Sequence, residues 1–142
     1  MRFLHLSDLH LGKRVCEFSM LDDQRYILEQ ILSLLDTRPV DAVLLAGDLY
    51  DKPVPPAEAV RLLDWFLTEL ADRKLPVFAI SGNHDSAERV AFGAHLLAGS
   101  QVYVSPVFEG APAPIPLTDA YGPVDIYLLP FLKPAMVRHI YP

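Results

Sequence analysis

Three things are scarce in this sequence of 142 residues, and each scarcity excludes a class of protein. Cys16 is the single cysteine, so a small scaffold held together by internal disulfides is excluded. No stretch reaches the roughly 20 apolar residues that a membrane-spanning helix needs, and no apolar run follows a basic start as in a signal peptide. We therefore expect a cytoplasmic protein that does not enter a membrane.

Positive charge is also scarce, and it is scattered. The formal net charge is -6 and the pI is about 5.2. Lys and Arg occur at most in pairs, such as Lys13 and Arg14, which argues against an extended basic surface for nucleic acid. A cleft that binds cations could still attract phosphates, because bound cations outweigh nearby carboxylates. Hydrophobic residues make up 51% of the chain, enough for the core of one folded domain.

The pattern of apolar residues predicts strands that alternate with helices. Short apolar runs predict strands over 3–6, 42–46, 77–80 and 102–104, and helical spacing predicts helices over 21–35, from 55–56 to about 70, and from 85 or 86 to about 97. Such alternation is typical of a parallel sheet covered on both faces. After residue 105 the proline-rich stretch PVFEGAPAPIPL favours loops or edge strands, and 124–129 has the pattern of one more strand.

Polar side chains follow three of these strands, at the point where each strand ends. They are Asp8 and His10 in SDLHLG, Asp48 and Asp51 in GDLYD, and Asn83, His84 and Asp85 in GNHD. Ligands bind at the carboxyl edge of open α/β sheets, so neighbouring strands would bring these groups together. Carboxylate, amide and imidazole ligands suit manganese, iron or zinc, and one carboxylate can bridge two such ions about 3.5–4 Å apart. The sequence therefore predicts a divalent-metal site.

The three motifs Asp-x-His, Gly-Asp-x-x-Asp and Gly-Asn-His-Asp, in this order, resemble those of the calcineurin-like metallophosphoesterases. The stretches LHLSDLHLGKRV, DQRYILEQI, AGDLYDKPVPP and SGNHDSAERVAFGAHLL are similar to one branch of that family, the SbcD exonuclease subunits. The similarity runs from residue 1 to about 105. It implies an α/β fold, the αββα sandwich of the family. Residues 1–142 would be the N-terminal part of this nuclease domain, with a mostly parallel sheet flanked by helices and without the C-terminal part and the capping domain.

The resemblance also implies a role for each motif residue. Asp8 and His10 would bind one metal, Asp48 would bridge both metals, and Asn83 would bind the second. His84 would not be a ligand but would contact the scissile phosphate or protonate the leaving oxygen.

Four further residues lie in or near these motifs. Three of them have two possible roles, and the fourth has a supporting role. Asp85 would hold the imidazole of His84, or cap the following helix, or do both. Asp51 would support the site without binding metal. Lys13 and Arg14 would contact the DNA backbone at the mouth of the site, or form a solvated turn.

The chain departs from the family pattern in its histidines. The family uses three later histidines, in a Gly-His pair and a Gly-His-x-His motif. This chain has five histidines in all, and the two that follow His84, namely His95 and His139, lie in neither motif. We therefore expect an N-terminal fragment that binds its metals incompletely and is weakly active or inactive alone.

The family branch implies a nuclease that acts in DNA repair and recombination. It would be a manganese-dependent exonuclease on double-stranded ends and an endonuclease on hairpins, using two divalent ions. Its partners would be DNA, an SbcC-type coiled-coil ATPase and a second copy of itself. Two alternatives remain open: a phosphoesterase acting on small phosphodiesters or phosphoproteins, and a non-catalytic dimerisation or docking module.

Overall fold

Strands and helices alternate along residues 1–141, which the computed structural model describes. In chain order they are β1 (Phe3–Leu6), β2 (Arg14–Val15), β3 (Phe18–Ser19), α1 (Leu21–Thr37), β4 (Ala42–Ala46), α2 (Ala57–Asp72), β5 (Val77–Ile80), α3 (Ala87–Val90), α4 (Ala94–Ala98), β6 (Val102–Val104), β7 (Ile115–Asp119), β8 (Gly122–Ile126) and α5 (Pro134–Ile140). The central sheet has the order β1-β4-β5-β6 with all neighbours parallel, which confirms the α/β prediction. In the described part of the chain, no helix is long and apolar enough to cross a membrane.

One face of the sheet carries the main core. Residues in register across the four strands form an apolar row that points to this face, namely Leu4, Val43, Val77 and Val102. The buried stripes of α1 and α2 pack on this row, and Phe66 of α2 is fully buried there. Side chains alternate between the two faces of a strand, so the next row belongs to the opposite face.

The opposite face of the sheet is covered by a second layer of strands, as the αββα sandwich of the family implies. The antiparallel pair β7 and β8 packs on it, together with the buried Leu128. Phe78 and Tyr103 stack on this face with ring centroids 5.2 Å apart. The proline-rich stretch thus forms part of an edge hairpin, which the missing donor of Pro116 permits at an outer position. The predicted strand over 124–129 begins earlier and ends at Ile126.

The helix predicted to run to about residue 97 is divided in two. Ser86 is the N-cap of α3, with its hydroxyl accepting from the backbone N–H of Arg89 at 3.4 Å. Gly93 then adopts a left-handed conformation with φ +74°, and α4 begins after it. Because glycine adopts this conformation without steric cost, the chain turns here instead of continuing the helix.

A small hairpin that the periodicity did not predict follows the first motif. Strands β2 and β3 are joined by Cys16 and Glu17, both with positive φ, as a tight two-residue hairpin turn requires. Two-residue strands are too short to show an alternating pattern in the sequence.

Candidate metal centre

The three motifs meet at the carboxyl edge of the sheet because their strands are neighbours. The loop after β1 also pairs with the loop after β4. Asp8 N–H donates to the Gly47 carbonyl at 3.1 Å, and His10 N–H donates to the Asp48 carbonyl at 2.9 Å. The first two motifs therefore form one hydrogen-bonded unit beyond the end of the sheet.

Three residues of this unit have left-handed backbone conformations. The φ angles are +57° at Asp8, +44° at His10 and +50° at Asp48. Such angles are uncommon for residues other than glycine, although Asp and His adopt them more often than most. Strained conformations of this kind cluster at functional sites. Here they turn consecutive polar side chains toward one place.

His10, Asp48 and His84 each offer one ligand atom, and these atoms lie within 4.8 Å of one another. Nε2 of His10 is 3.9 Å from Oδ2 of Asp48 and 3.7 Å from Oδ1 of Asp8. The Asp48 carboxylate is nearly buried, whereas the Asp8 side chain is 66% exposed. This arrangement offers a cation the His10 imidazole and two carboxylates, with the exposed ring of His84 beside them on a surface that substrate can reach.

The other ring nitrogen of His10 provides a test of whether the site fits a metal. Nδ1 is buried and makes no hydrogen bond within residues 1–141, and Oδ1 of Asp51 lies 3.5 Å from it. Metal-binding histidines commonly direct their second nitrogen to a carboxylate, which fixes the ring. With Nε2 toward Asp8 and Asp48, and Nδ1 toward Asp51, the donor set and its orientation fit a divalent cation.

His84 contacts the second motif through both its backbone and its ring. Its N–H donates to Oδ1 of Asp48 at 2.8 Å, and its Nδ1 lies 3.0 Å from the Asp51 carbonyl oxygen. A carbonyl only accepts, so Nδ1 carries the proton in this contact and Nε2 is left for another partner. The ring meets that of His10 edge to face at 4.7 Å. His84 is exposed, so it can reach a bound phosphate as well as a cation.

Asp85 does not have the role expected from the sequence. Oδ2 accepts from the backbone N–H groups of Leu49 at 3.0 Å and Gly82 at 2.8 Å, and Oδ1 accepts from Tyr50 N–H at 2.9 Å. Its carboxylate thus ties the second motif to the third, and the hydrogen bond of the His84 ring goes to Asp51 instead. The helix cap is Ser86. The backbone N–H groups of Leu49 and Tyr50, in the loop after β4, need an acceptor, and the Asp85 carboxylate supplies it.

Glycine is required where the second and third motifs touch. A Cβ added to Gly82 would overlap the backbone nitrogen and carboxylate of Asp48 and lie 2.7 Å from its Cγ. Gly47 has φ +88°, and a Cβ there would lie 3.0 Å from the Gly82 Cα. The two glycines therefore let Asp48 approach the third motif.

The remaining predicted residues lie around this cluster. Asn83 is exposed on the loop beside His84. Lys13 and Arg14 are both exposed, and Arg14 begins the β2–β3 hairpin, where its guanidinium donates to the Glu17 carbonyl. Their contact with DNA at the mouth of the site stays a prediction.

Two residues near the site were not predicted from the sequence. Gln24 of α1 donates to the first-motif loop through its side chain. The sequence contained a signal for this role: Gln24 lies four and eight positions before the buried Leu28 and Leu32, so a polar side chain falls on the apolar face of α1. Tyr50 is the other. Burial, with added repulsion from the carboxylates of Asp85 and Asp64, raises the pKa of its hydroxyl to about 12.

Similarity to known proteins agrees with this geometry. Residues 1–131 match the family model described as calcineurin-like phosphoesterase. The chain belongs to the calcineurin-like phosphoesterase family. It is also 34% identical over 142 residues to the SbcD subunit of the nuclease SbcCD from Staphylococcus epidermidis, an alignment that covers 99% of this chain and 37% of that protein. The chain thus spans a little over a third of the length of this curated relative.

Proposed function

We propose that this chain supplies part of the catalytic centre of a metal-dependent DNA nuclease. The observation that carries the proposal is the meeting of His10, Asp48 and His84, with ligand atoms within 4.8 Å, at the carboxyl edge of three adjacent strands. Membership of a phosphoesterase family gives this cluster a reaction class, hydrolysis of a phosphate ester.

The residues divide into those that hold cations and one that handles a proton. Asp8, His10 and Asp48 would hold divalent ions, with Asn83 added on the basis of the family motif. When bound, these ions would supply charge neutralisation at the phosphoryl oxygens and an activated water. Mn²⁺ is the proposed metal, since carboxylate, amide and imidazole ligands suit it.

His84 would act on the leaving group. The Asp51 carbonyl accepts from Nδ1–H and so orients the ring. In the imidazolium form Nε2 also carries a proton, which it would donate to the departing oxygen, leaving a neutral ring with Nδ1–H still on Asp51. Because the side chain is exposed, a backbone phosphate of DNA can approach it.

The substrate and the protein partner are proposed from the relative. Its name describes one component of a nuclease, SbcCD. We accordingly propose double-stranded ends and hairpins of DNA as substrates, an SbcC-type ATPase as partner, and DNA repair and recombination as the process. Lys13 and Arg14 would contact the DNA backbone.

We further propose that residues 1–142 form the N-terminal part of the nuclease domain and bind metal less tightly than a full ligand set would. Support comes from the histidines, since none of those after His84 lies in a Gly-His or Gly-His-x-His motif. Hydrolysis by this chain alone would then be slow.

A homodimer is proposed from two apolar side chains outside the core. Phe92 is 86% exposed and Leu96 is 85% exposed, whereas the neighbouring Leu97 packs partly against the core. Adjacent exposed apolar side chains of this kind are typical of interaction surfaces.

The test is degradation of end-labelled duplex DNA with Mn²⁺ at high protein concentration. The proposal expects slow degradation by the wild type and by His139→Ala, an exposed histidine outside the site. Degradation by His84→Ala should be at least about 100-fold slower, the lower range for losing a general acid. His84→Ala should still bind Mn²⁺. Equal degradation by all three proteins would remove His84 from the mechanism, and hydrolysis of a small chromogenic diester without any cleavage of DNA would favour a different phosphoesterase.

A further inference from the structure

Gln24 uses both ends of its side-chain amide on the loop that carries the first motif. Oε1 accepts from the N–H of Gly12 at 3.0 Å. Nε2 donates to the His10 carbonyl at 2.7 Å and to the Leu9 carbonyl at 3.2 Å. Since a carbonyl only accepts and a backbone N–H only donates, these partners fix which end of the amide is which.

The helix holds Gln24 in place for these contacts. Its backbone N–H donates to the Met20 carbonyl at 2.8 Å, so it lies in the first turn of α1. The same face of the helix continues with Leu28, which is 1% exposed, and Leu32, which is 4% exposed. The amide therefore extends from a helix that is packed on the sheet, and its position does not depend on the loop.

The backbone of His10 is fixed from both sides by this arrangement. Its carbonyl accepts from Gln24 and also from Lys13 N–H at 3.0 Å, and its own N–H donates to the Asp48 carbonyl. A left-handed φ of +44° persists only where the surroundings over-determine it. These bonds impose the conformation that directs Nε2 of His10 toward the carboxylates of Asp8 and Asp48.

We propose that Gln24 is a positioning residue that holds His10 in the orientation needed to bind metal. The inference rests on the proposed function, because it takes the edge cluster to be a cation site. It adds a residue outside the three motifs, on a different element of the fold, on which the geometry of the site depends.

The experiment compares two variants with a matched control on the same helix. Gln24→Met keeps the length of the side chain and removes all three bonds, and Gln24→Glu keeps the shape and an acceptor for Gly12 but removes the donor. Gln30→Met makes the same chemical change at an exposed position of α1. Two quantities are measured: the nuclear Overhauser effect between the rings of His10 and His84 in metal-free protein, and the dissociation constant for Mn²⁺ from the signal of free Mn²⁺ in electron paramagnetic resonance.

We expect both Gln24 variants to lose the ring contact and to bind Mn²⁺ about tenfold more weakly, as when a supporting partner of a ligand is removed. Gln30→Met should match the wild type in both. Should Gln24→Met fail to fold, Gln24→Glu decides. A retained ring contact with wild-type affinity in a folded variant would overturn the proposal. Wild-type protein that shows the ring contact but binds no Mn²⁺ would refute the proposed function, and the ring contact alone would then decide the role of Gln24.

Discussion

The backbone N–H of His84 donates a 2.8 Å hydrogen bond to Oδ1 of Asp48. This bond joins the third motif to the carboxylate at the centre of the cluster. One oxygen of Asp48, Oδ1, thus accepts a hydrogen bond that holds the loops together, and the other, Oδ2, faces His10. The metal site and the local fold therefore depend on the same side chain, and suitable substitutions can separate the two roles.

Two substitutions of Asp48 should give different results. Asp48→Asn keeps an oxygen for His84 N–H but loses the charge, so we expect near-normal stability and Mn²⁺ binding weakened by more than about 100-fold, the upper range for a lost supporting partner. Asp48→Ala should lose binding as well and also unfold about 1–3 kcal/mol more easily, because an N–H is left unpaired. Mn²⁺ titration and urea unfolding measure the two effects. Wild-type Mn²⁺ affinity in Asp48→Asn would exclude Asp48 as a ligand.

Gly82→Ala should be destabilising because of the contact with Asp48. Its Cβ would overlap backbone and carboxylate atoms, so we expect a loss of about 3 kcal/mol in the free energy of unfolding, the upper range for overpacking. Gly93→Ala is the control: its Cβ would meet nothing within 4 Å, and only the left-handed φ would cost about 1 kcal/mol. Urea unfolding compares the two, and equal losses would contradict the close approach of the motifs.

Burial and nearby carboxylates raise the pKa of Tyr50 to about 12 in the folded state, from an ordinary value of 10.0. The fold thus favours the neutral phenol, so this contribution to stability is complete below pH 10 and is lost as the pH rises to about 12. Absorbance of tyrosinate should show one of the six tyrosines titrating late. Tyr50→Phe should remove that step, and Asp85→Asn should lower its pKa. Titration of all six near pH 10 would contradict the burial of this hydroxyl.

The dimer surface can be tested without metal or DNA. Phe92→Ser combined with Leu96→Ser should convert a dimer to a monomer, because it removes the two most exposed apolar side chains of α4 and the segment before it. Tyr121→Ser is the control, since Tyr121 is 96% exposed in the turn between β7 and β8, outside the proposed surface. Sedimentation velocity measures the mass. A wild type that is monomeric at every concentration, or a double variant that is still dimeric, would refute the proposed surface.

The sequence predicted the sheet and the meeting of the motifs well, for a physical reason. The central strands β4 and β5 are mostly buried on both faces, which leaves short runs of consecutive apolar residues such as AVLLA at 42–46. Parallel strands place all their carboxyl ends at one edge. The meeting of Asp8, Asp48 and His84 at this edge therefore follows once β1, β4 and β5 are neighbours in the sheet.

What could not be predicted depends on contacts between distant segments. The three N–H groups that Asp85 accepts from belong to two different loops, and no local pattern reveals them. The apolar pattern of a helix continues through Gly93, so the sequence predicts one helix where the chain forms α3 and α4. Prolines within β7 and β8 obscure the alternating pattern that predicts strands. The apolar residues of this pair are explained only by their packing on Phe78 and Tyr103.

The most direct test of the metal centre is to add substoichiometric Mn²⁺ to this chain and follow the ring signals of its five histidines by NMR. The paramagnetic ion broadens the signals of nearby protons. The account predicts that the rings of His10 and His84 broaden first, while those of His95 and His139 are unchanged at the same concentration. Broadening of all five rings together, or of none, would contradict a metal site at the carboxyl edge of the sheet.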